Sequence, residues 1–487
     1  MSLAVRSLLI VFGIALFAFL ALPVCAQEGP IGIGSRLELF VDHSLIERLD
    51  STSPELHKPL LAENVLAFDK PWEGLFCGYV TVFMDGPVYR MYYRGLPEAR
   101  KDGSDSETTC YAESTDGITW TKPNLGLFEA AGSRDNNIIL AGHAPFSHNF
   151  APFKDTKPGV PASEQYKALA GTSETGLVVF VSEDGLRWTK RGDAPVITEG
   201  AFDSQNVAFW SESEGMYVSY FRTWREGDFK GHRTVSRATS PDFAIWTKPQ
   251  FMEFGGTPPE HLYTNQTAPY FRAPHIYIAT AARFMPDRRV ISAEKMKEIG
   301  GEASYSGDCS DTVLITSRGG FNYDRTFMEG FIRPGIGAGK WTSRTNYPAR
   351  GVVPTGAETM SLYVQRNYGQ VTHHLQRLTL RTDGFISINA PYAGGEAVTK
   401  PFTFTGKSLV INYATSAAGS VWVEVQDAAG KPIPSFTAED CDEIIGDEIE
   451  RTVTWKGVSD VSPVSGNPIR LRFKMKDADL YSMQFRP

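Results

Sequence analysis

The stretch Ser114-Thr115-Asp116-Gly117-Ile118-Thr119-Trp120 decides the fold, because it recurs. A second copy runs Ser182-Glu183-Asp184-Gly185-Leu186-Arg187-Trp188. A weaker copy is Ser240-Pro241-Asp242-Phe243-Ala244-Ile245-Trp246, and a degenerate one is Ser317-Arg318-Gly319-Gly320-Phe321. The chemistry is that of a turn. The Asp carboxylate accepts bonds from turn amides, glycine permits positive φ, and the Trp packs between sheets. The copies lie roughly 60–80 residues apart, which fits four-stranded propeller blades of roughly 40–50 residues enlarged by loops. The turns are therefore read as structural, with no catalytic role.

Working outward, each turn is preceded by two strands that also repeat. Gly78–Asp85 and Val88–Arg94 precede the first turn, and Ser204–Trp210 and Met216–Arg222 the third. Asn149–Asp155 with Tyr166–Ala170 and Asn265–Phe271 with His275–Arg283 fill the second and fourth sets. A fifth set starts near Glu358, with Met360–Val364 followed by His374–Leu380. The apolar strand Leu37–Val41 has no blade of its own and is expected to close the ring as the outer strand of the last blade. One helix is expected, Ser292–Ile299, capped by Ser292 and ended by Gly300-Gly301. Alternating strands from about residue 395 read as a C-terminal β-sandwich. The expected fold is all-β: a five-bladed β-propeller over 27–390 followed by a β-sandwich over 391–487.

The 487 residues suit two or three domains, and 42% hydrophobic with 21% charged residues is an ordinary globular composition. A net charge of −8 argues against a nucleic-acid partner. Arg6, the apolar stretch Leu8–Leu22 and Val24-Cys25-Ala26 before Gln27 read as a signal peptide over 1–26. This implies a secreted or periplasmic protein with no transmembrane anchor after processing. A lipoprotein route through Cys25 ranks second, because Val24 is bulky for the residue before a lipidated cysteine. Cys77, Cys110, Cys309 and Cys441 are widely spaced and read as buried thiols or one bridge.

The residues resemble a family. Glu113–Leu127, Phe202–Trp210, Met328–Gly335 and Ala478–Ser482 are similar to secreted propeller proteins of the invertase, levanase and arabinanase kind, glycoside hydrolase families 32, 43 and 68 and their relatives. The resemblance implies a hydrolase of glycosidic bonds in a poly- or oligosaccharide, acting through two carboxylates. The Asn-Asp-Pro-Asn, Arg-Asp-Pro and Glu-Cys signatures of invertases are absent, so no catalytic residue is carried over. A non-catalytic carbohydrate-binding or scaffold propeller is the rival, and a sialidase-like or lyase enzyme on acidic sugars is a third class.

Blade geometry supplies candidates independently. In a four-strand meander the starts of innermost strands and the ends of second strands converge on one mouth of the central funnel. The repeated turn lies on the opposite face. Glu73, Asp203, Glu260 and Glu358 are placed by this rule at innermost-strand starts and are the candidate catalytic carboxylates. His148, Asn149 and His261 share that level. Arg94, Arg222 and Arg283 end second strands and suit anionic groups or the same carboxylates. Trp224 and Tyr263 lie beside them as sugar platforms. Asp308 and Asp311 follow the helix-bearing insertion and are reserve acids. No cofactor motif is present, and no metal-ligand spacing occurs; a structural calcium among funnel acids is left open.

Overall fold

The computed structural model describes residues 29–487 apart from residue 228, so the expected signal peptide over 1–26 lies outside the described residues. Five four-stranded antiparallel sheets form the propeller. Blade one comprises Gly78–Asp85, Val88–Gly95, Thr108–Ser114 and Ile138–Ala141. Blade two comprises Phe153–Lys154, Tyr166–Thr172, Gly176–Ser182 and Thr189–Lys190. Blade three comprises Val207–Ser211, Met216–Trp224, Arg233–Ser240 and Gln250–Phe251. In blade four the innermost strand is broken into Leu262–Thr264 and Thr267–Tyr270, followed by Ala273–Met285 and Cys309–Ser317. Gln266, at φ 53°, makes the break.

Blade five corrects two expectations. Its innermost strand is the short Val353–Pro354, and Thr359–Arg366 and His374–Arg381 are its second and third strands. The frame is thus one strand later than the sequence suggested, because a two-residue strand carries no period-2 signal. The ring is closed by an N-terminal strand, but that strand is Leu60–Ala67, which pairs with His374–Arg381. Leu37–Val41 does not close it. Glu38 and Leu39 instead pair with Met483 and Ser482 of the C-terminal sheet. The physical reason is visible in the burial. An outer blade strand is half solvated, and Leu60 and Leu61 are exposed. Leu37, Leu39 and Val41 pack on blades four and five while Phe40 enters the C-terminal core, so this segment is buried on both faces.

The repeated turn works as an inter-blade latch. Asp116 accepts bonds from the amides of Ile118 and Thr119, both at 2.7 Å, and from Ser114 Oγ at 2.8 Å. Trp120 Nε1 donates to the Gly117 carbonyl. Gly117 has φ 71°, and a Cβ there would stand 2.8 Å from Thr355 of blade five. Tyr363 of blade five donates to the Gly117 carbonyl at 2.6 Å. The second turn repeats the contact, with Arg90 of blade one donating to the Asp184 carbonyl at 2.8 Å, and so does the third, with Arg191 donating to Phe243. Each turn therefore sits on the preceding blade. A buried pair adds to the seam between blades two and three: Asp155 accepts from Lys167 and from Tyr217, both at 2.6 Å.

The rest of the chain forms one ten-stranded hydrogen-bonded sheet. Two long strands, Ser408–Asp427 and Ile469–Arg486, pair along their length and enclose a core with Phe402, Leu409, Val423, Trp455 and Phe473. Segments before the propeller, Ile31–Gly34 through Ser53–Leu56, belong to this sheet. The expected helix is present as Ala293–Glu298, with Ser292 Oγ accepting from Lys295 N. All four described cysteines are buried and unpaired. No helix among the described residues is long and apolar enough to cross a membrane.

Candidate functional site in the propeller funnel

Four of the five second strands carry an arginine within their last three residues, Arg94, Arg222, Arg283 and Arg366. The third strands of blades one to four then leave the mouth and end in the latch serine on the far face, at Ser114, Ser182, Ser240 and Ser317. The approaches to the innermost strands carry left-handed residues, Tyr79 (φ 53°), Phe202 (φ 39°) and Asn346 (φ 72°). Such a residue breaks the two-face alternation of a strand. It brings the Tyr79 ring against Arg94, 4.8 Å from the guanidinium, and edge-on to His148. The Tyr263 and Tyr347 rings lie beside it, tilted at 42° with centroids 5.1 Å apart, and Arg222 lies 4.7 Å over Tyr263.

A charge chain runs through the mouth. Asp203 Oδ2 accepts from Arg222 at 2.8 Å, and its Oδ1 lies 2.9 Å from His148 Nε2. His148 Nδ1 lies 2.8 Å from Glu107 Oε1. Arg94 reaches Asp102 at 3.1 Å and Glu107 at 3.5 Å. Glu107, His148, Arg94 and Arg222 are all buried, whereas 49% of the Asp203 side chain is exposed. Asp203 is therefore the most exposed member of the chain, ahead of Asp102.

Burial alone would raise the Asp203 carboxyl, but the bonds from His148 and Arg222 outweigh it and hold its pKa well below the carboxylate range. Burial likewise disfavours charge on His148, yet Asp203 and Glu107 raise its pKa above the ordinary value, with Arg94 pulling the other way. When protonated, the ring can donate to both carboxylates. Asp308 is driven in the opposite sense: burial raises its carboxyl, with Ser343 donating to Oδ2 at 2.9 Å and Arg344 opposing. Among the described residues, Asp308 Oδ1 has no partner. Neither do the Tyr347 hydroxyl, Ser310 Oγ and Arg222 Nη1, all buried.

One trio has the spacing of a metal site. Ligand atoms of Asp102, Glu107 and His148 lie within 4.8 Å of one another. Arg94 Nη1, at 3.1–3.5 Å from an atom of each, already supplies a positive charge there. These residues fit a guanidinium better than an ion.

Beside the axial cluster a cleft of about 890 Å³ opens over blade four, between His232 of blade three and the 330–341 segment that follows blade four. Glu260, Arg283 and Asp311 form its wall. Arg283 pairs with Glu260 at 2.7 Å and with Asp311 at 2.6 Å, and Arg325 reaches Glu260 at 3.0 Å. His261 lines the same cleft, with its pKa lowered by burial and by His232.

The structure thus brings Arg94, His148, Asp203, Arg222 and Tyr263 together at the axis, and Glu260, His261 and Arg283 in the adjoining cleft. Glu73 is elsewhere. It is fully buried and accepts from Tyr93 at 2.6 Å, Lys122 at 2.7 Å and Lys70 N at 3.0 Å, which makes it a clip on blade one. Glu358 lies in the exposed turn between the first two strands of blade five, on the face opposite the mouth. This follows from the shifted frame of that blade. Asn149 is buried and bonds Gly171 and Phe202, so it braces the backbone. Trp224 lies under Arg233, 4.4 Å from its guanidinium. Asp102, Glu107 and Arg344 escaped the sequence reading. Asp102 and Glu107 sit in the loop joining the second and third strands of blade one, and loops of that class overhang the mouth.

No family profile matches the chain, and no curated protein matches it. Solved structures with a similar fold include a glycoside hydrolase family 43 arabinoxylan arabinofuranohydrolase from Bacillus subtilis, at 14% identity and TM-score 0.41 over 85% of this chain and 96% of that one. An N-acetylgalactosamine deacetylase from F. plautii aligns at 14% identity and TM-score 0.42 over 68% of this chain and 95% of that one. A beta-1,2-mannobiose phosphorylase from Listeria innocua aligns at 11% and 0.41, over 63% and 89%. Likeness at this level assigns no reaction.

Proposed function

We propose that the funnel hydrolyses a glycosidic bond of a poly- or oligosaccharide, using Asp203 as the ionised carboxylate and Asp308 as the proton-bearing acid. The observation that carries the reading is the opposite drive on these two carboxyls, one held charged by His148 and Arg222, the other pushed upward in pKa by burial. Two carboxyls with separated roles are what glycoside hydrolysis requires. Asp308 gives its proton to the glycosidic oxygen as the C–O bond to the anomeric carbon breaks. Asp203 faces the positive charge that develops on the sugar ring. Water supplies the hydroxyl that ends on the anomeric carbon, and its remaining proton restores the acid. The unpartnered Tyr347 hydroxyl, Ser310 Oγ and Arg222 Nη1 provide hydrogen bonds to sugar hydroxyls. Tyr79 and Tyr263 supply aromatic walls.

The reading changes the acid expected from the sequence. Glu260 is neutralised by two arginines, and Asp308 takes its place as proton donor. The full pairing of Glu260 and Glu73 favours the rival reading, carbohydrate binding without turnover. The pH profile of kcat/KM separates them. Turnover should fall on the basic side as Asp308 loses its proton, and Asp308→Asn should remove that limb together with about a hundredfold or more of the rate. An unchanged profile in Asp308→Asn would remove Asp308 from the chemistry.

A further inference from the structure

We propose that the cleft over blade four is a subsite for a negatively charged sugar substituent, a carboxylate or a sulfate ester, held by Arg288 and Arg333 beside Trp341. This deepens the hydrolase reading and rests on it for the identity of the ligand as a saccharide.

The charge of the cleft wall carries the argument. Its two acids, Glu260 and Asp311, are matched by Arg283 and Arg325 through bonds of 2.6–3.0 Å. That leaves Arg288 and Arg333, both exposed and both lining the cleft, with no carboxylate within ion-pair distance among the described residues. Lys58 adds to the same rim, donating to the Gly330 carbonyl at 3.0 Å. Its pKa is lowered by burial and by Arg333, against the opposing charge of Glu329. Two unneutralised guanidiniums facing one cavity repel each other, and an anion between them relieves that repulsion. A planar guanidinium also matches a carboxylate or sulfate edge through paired N–H bonds.

The remaining lining suits a sugar. Trp341 is fixed in place by Nε1 donating to the Gly335 carbonyl at 2.9 Å. The cleft also borders the axial site. Phe284 lines it and lies 5.7 Å from Tyr263, and Ser310 lines it two residues after Asp308. A chain whose scissile bond lies at Asp308 would therefore place a neighbouring unit among Arg288, Arg333 and Trp341.

The test is binding, measured in an Asp203→Asn background so that turnover plays no part. The probes are a tetragalacturonate and its carboxyl-reduced neutral counterpart, and a sulfated galactan tetrasaccharide and its desulfated counterpart, titrated by calorimetry. The acidic member of one pair should bind about tenfold more tightly than its neutral partner, and which pair responds distinguishes carboxylate from sulfate. Arg288→Ala with Arg333→Ala should erase the preference without weakening the neutral probe, while Arg288→Lys with Arg333→Lys should keep part of it. Equal affinity within both pairs, failure of all four probes to bind, or a preference that survives the double alanine variant would overturn the proposal. Charge preference that follows the two arginines, in a wild type that hydrolyses nothing, would sustain the subsite and remove the hydrolase reading. Turnover of neutral glycans with no charge preference would do the reverse.

Discussion

Glu38→Gln should cost about 3 kcal/mol of stability at neutral pH, and the cost should fade in acid. Glu38 belongs to the C-terminal sheet, paired with Met483, yet its fully buried carboxylate faces the propeller. Arg318 of blade four donates to it at 2.6 Å, Arg36 at 2.5 Å, and His275 lies 3.3 Å away. Burial opposes ionisation here; His275 and Arg318 outweigh it and bring the pKa from 4.5 to about 2. At about 1.4 kcal/mol per unit, that shift corresponds to about 3 kcal/mol. The carboxyl is depressed in the folded state, so its contribution is fully present above the unfolded value and is lost as pH falls through about 2. Equilibrium urea unfolding of wild type and variant should show the full gap at about pH 7 and about 1.4 kcal/mol at about pH 3. Asp42 still pairs with Arg318 at 2.7 Å in the variant, so the arginine is not stranded and the measured loss reports on Glu38 itself. A gap that is the same at both pH values, or absent at neutral pH, would refute the claim that this carboxylate clasps the two sheets.

Asp116→Ala removes the acceptor of two turn amides and one hydroxyl, and should lower stability by about 2 kcal/mol without altering ligand binding, read from urea midpoints of the variant. The His148 ring should titrate above its ordinary pKa in an NMR experiment, and Asp203→Asn should lower that value; any stability this pairing adds is present below the unfolded pKa of 6.5 and lost as pH rises through the folded one. Glu260→Gln should change KM by up to about tenfold and leave kcat close to wild type, because Asp311 still holds Arg283; a thousandfold fall in kcat would return the acid role to Glu260.

The propeller was legible because its latch turn repeats in sequence, and its chemistry demands Asp, Gly and Trp at fixed offsets. The mouth level was legible wherever a blade has four ordinary strands, which is why Arg94, Arg222 and Asp203 were placed there. Blade five failed for a physical reason. Its innermost strand is two residues long, so the longer Thr359–Arg366 took its place and carried Glu358 to the wrong face. Leu37–Val41 looked like a ring-closing strand because it is apolar, but an apolar strand buried on both faces belongs between two units. The partners of the candidate acids were hidden. Nothing in Pro-Trp-Glu-Gly shows that Glu73 meets Tyr93 and Lys122, or that Arg325 comes 65 residues back to Glu260.

The central claim is that the funnel breaks glycosidic bonds through Asp203. Its most direct measurement is reducing-end release from a panel of neutral and acidic polysaccharides, with wild type and Asp203→Asn assayed side by side at matched folded concentration. The account predicts release from at least one polysaccharide by the wild type and a loss of about a thousandfold or more in the variant. Equal release by the two proteins, or none by the wild type on any member of the panel, would contradict it.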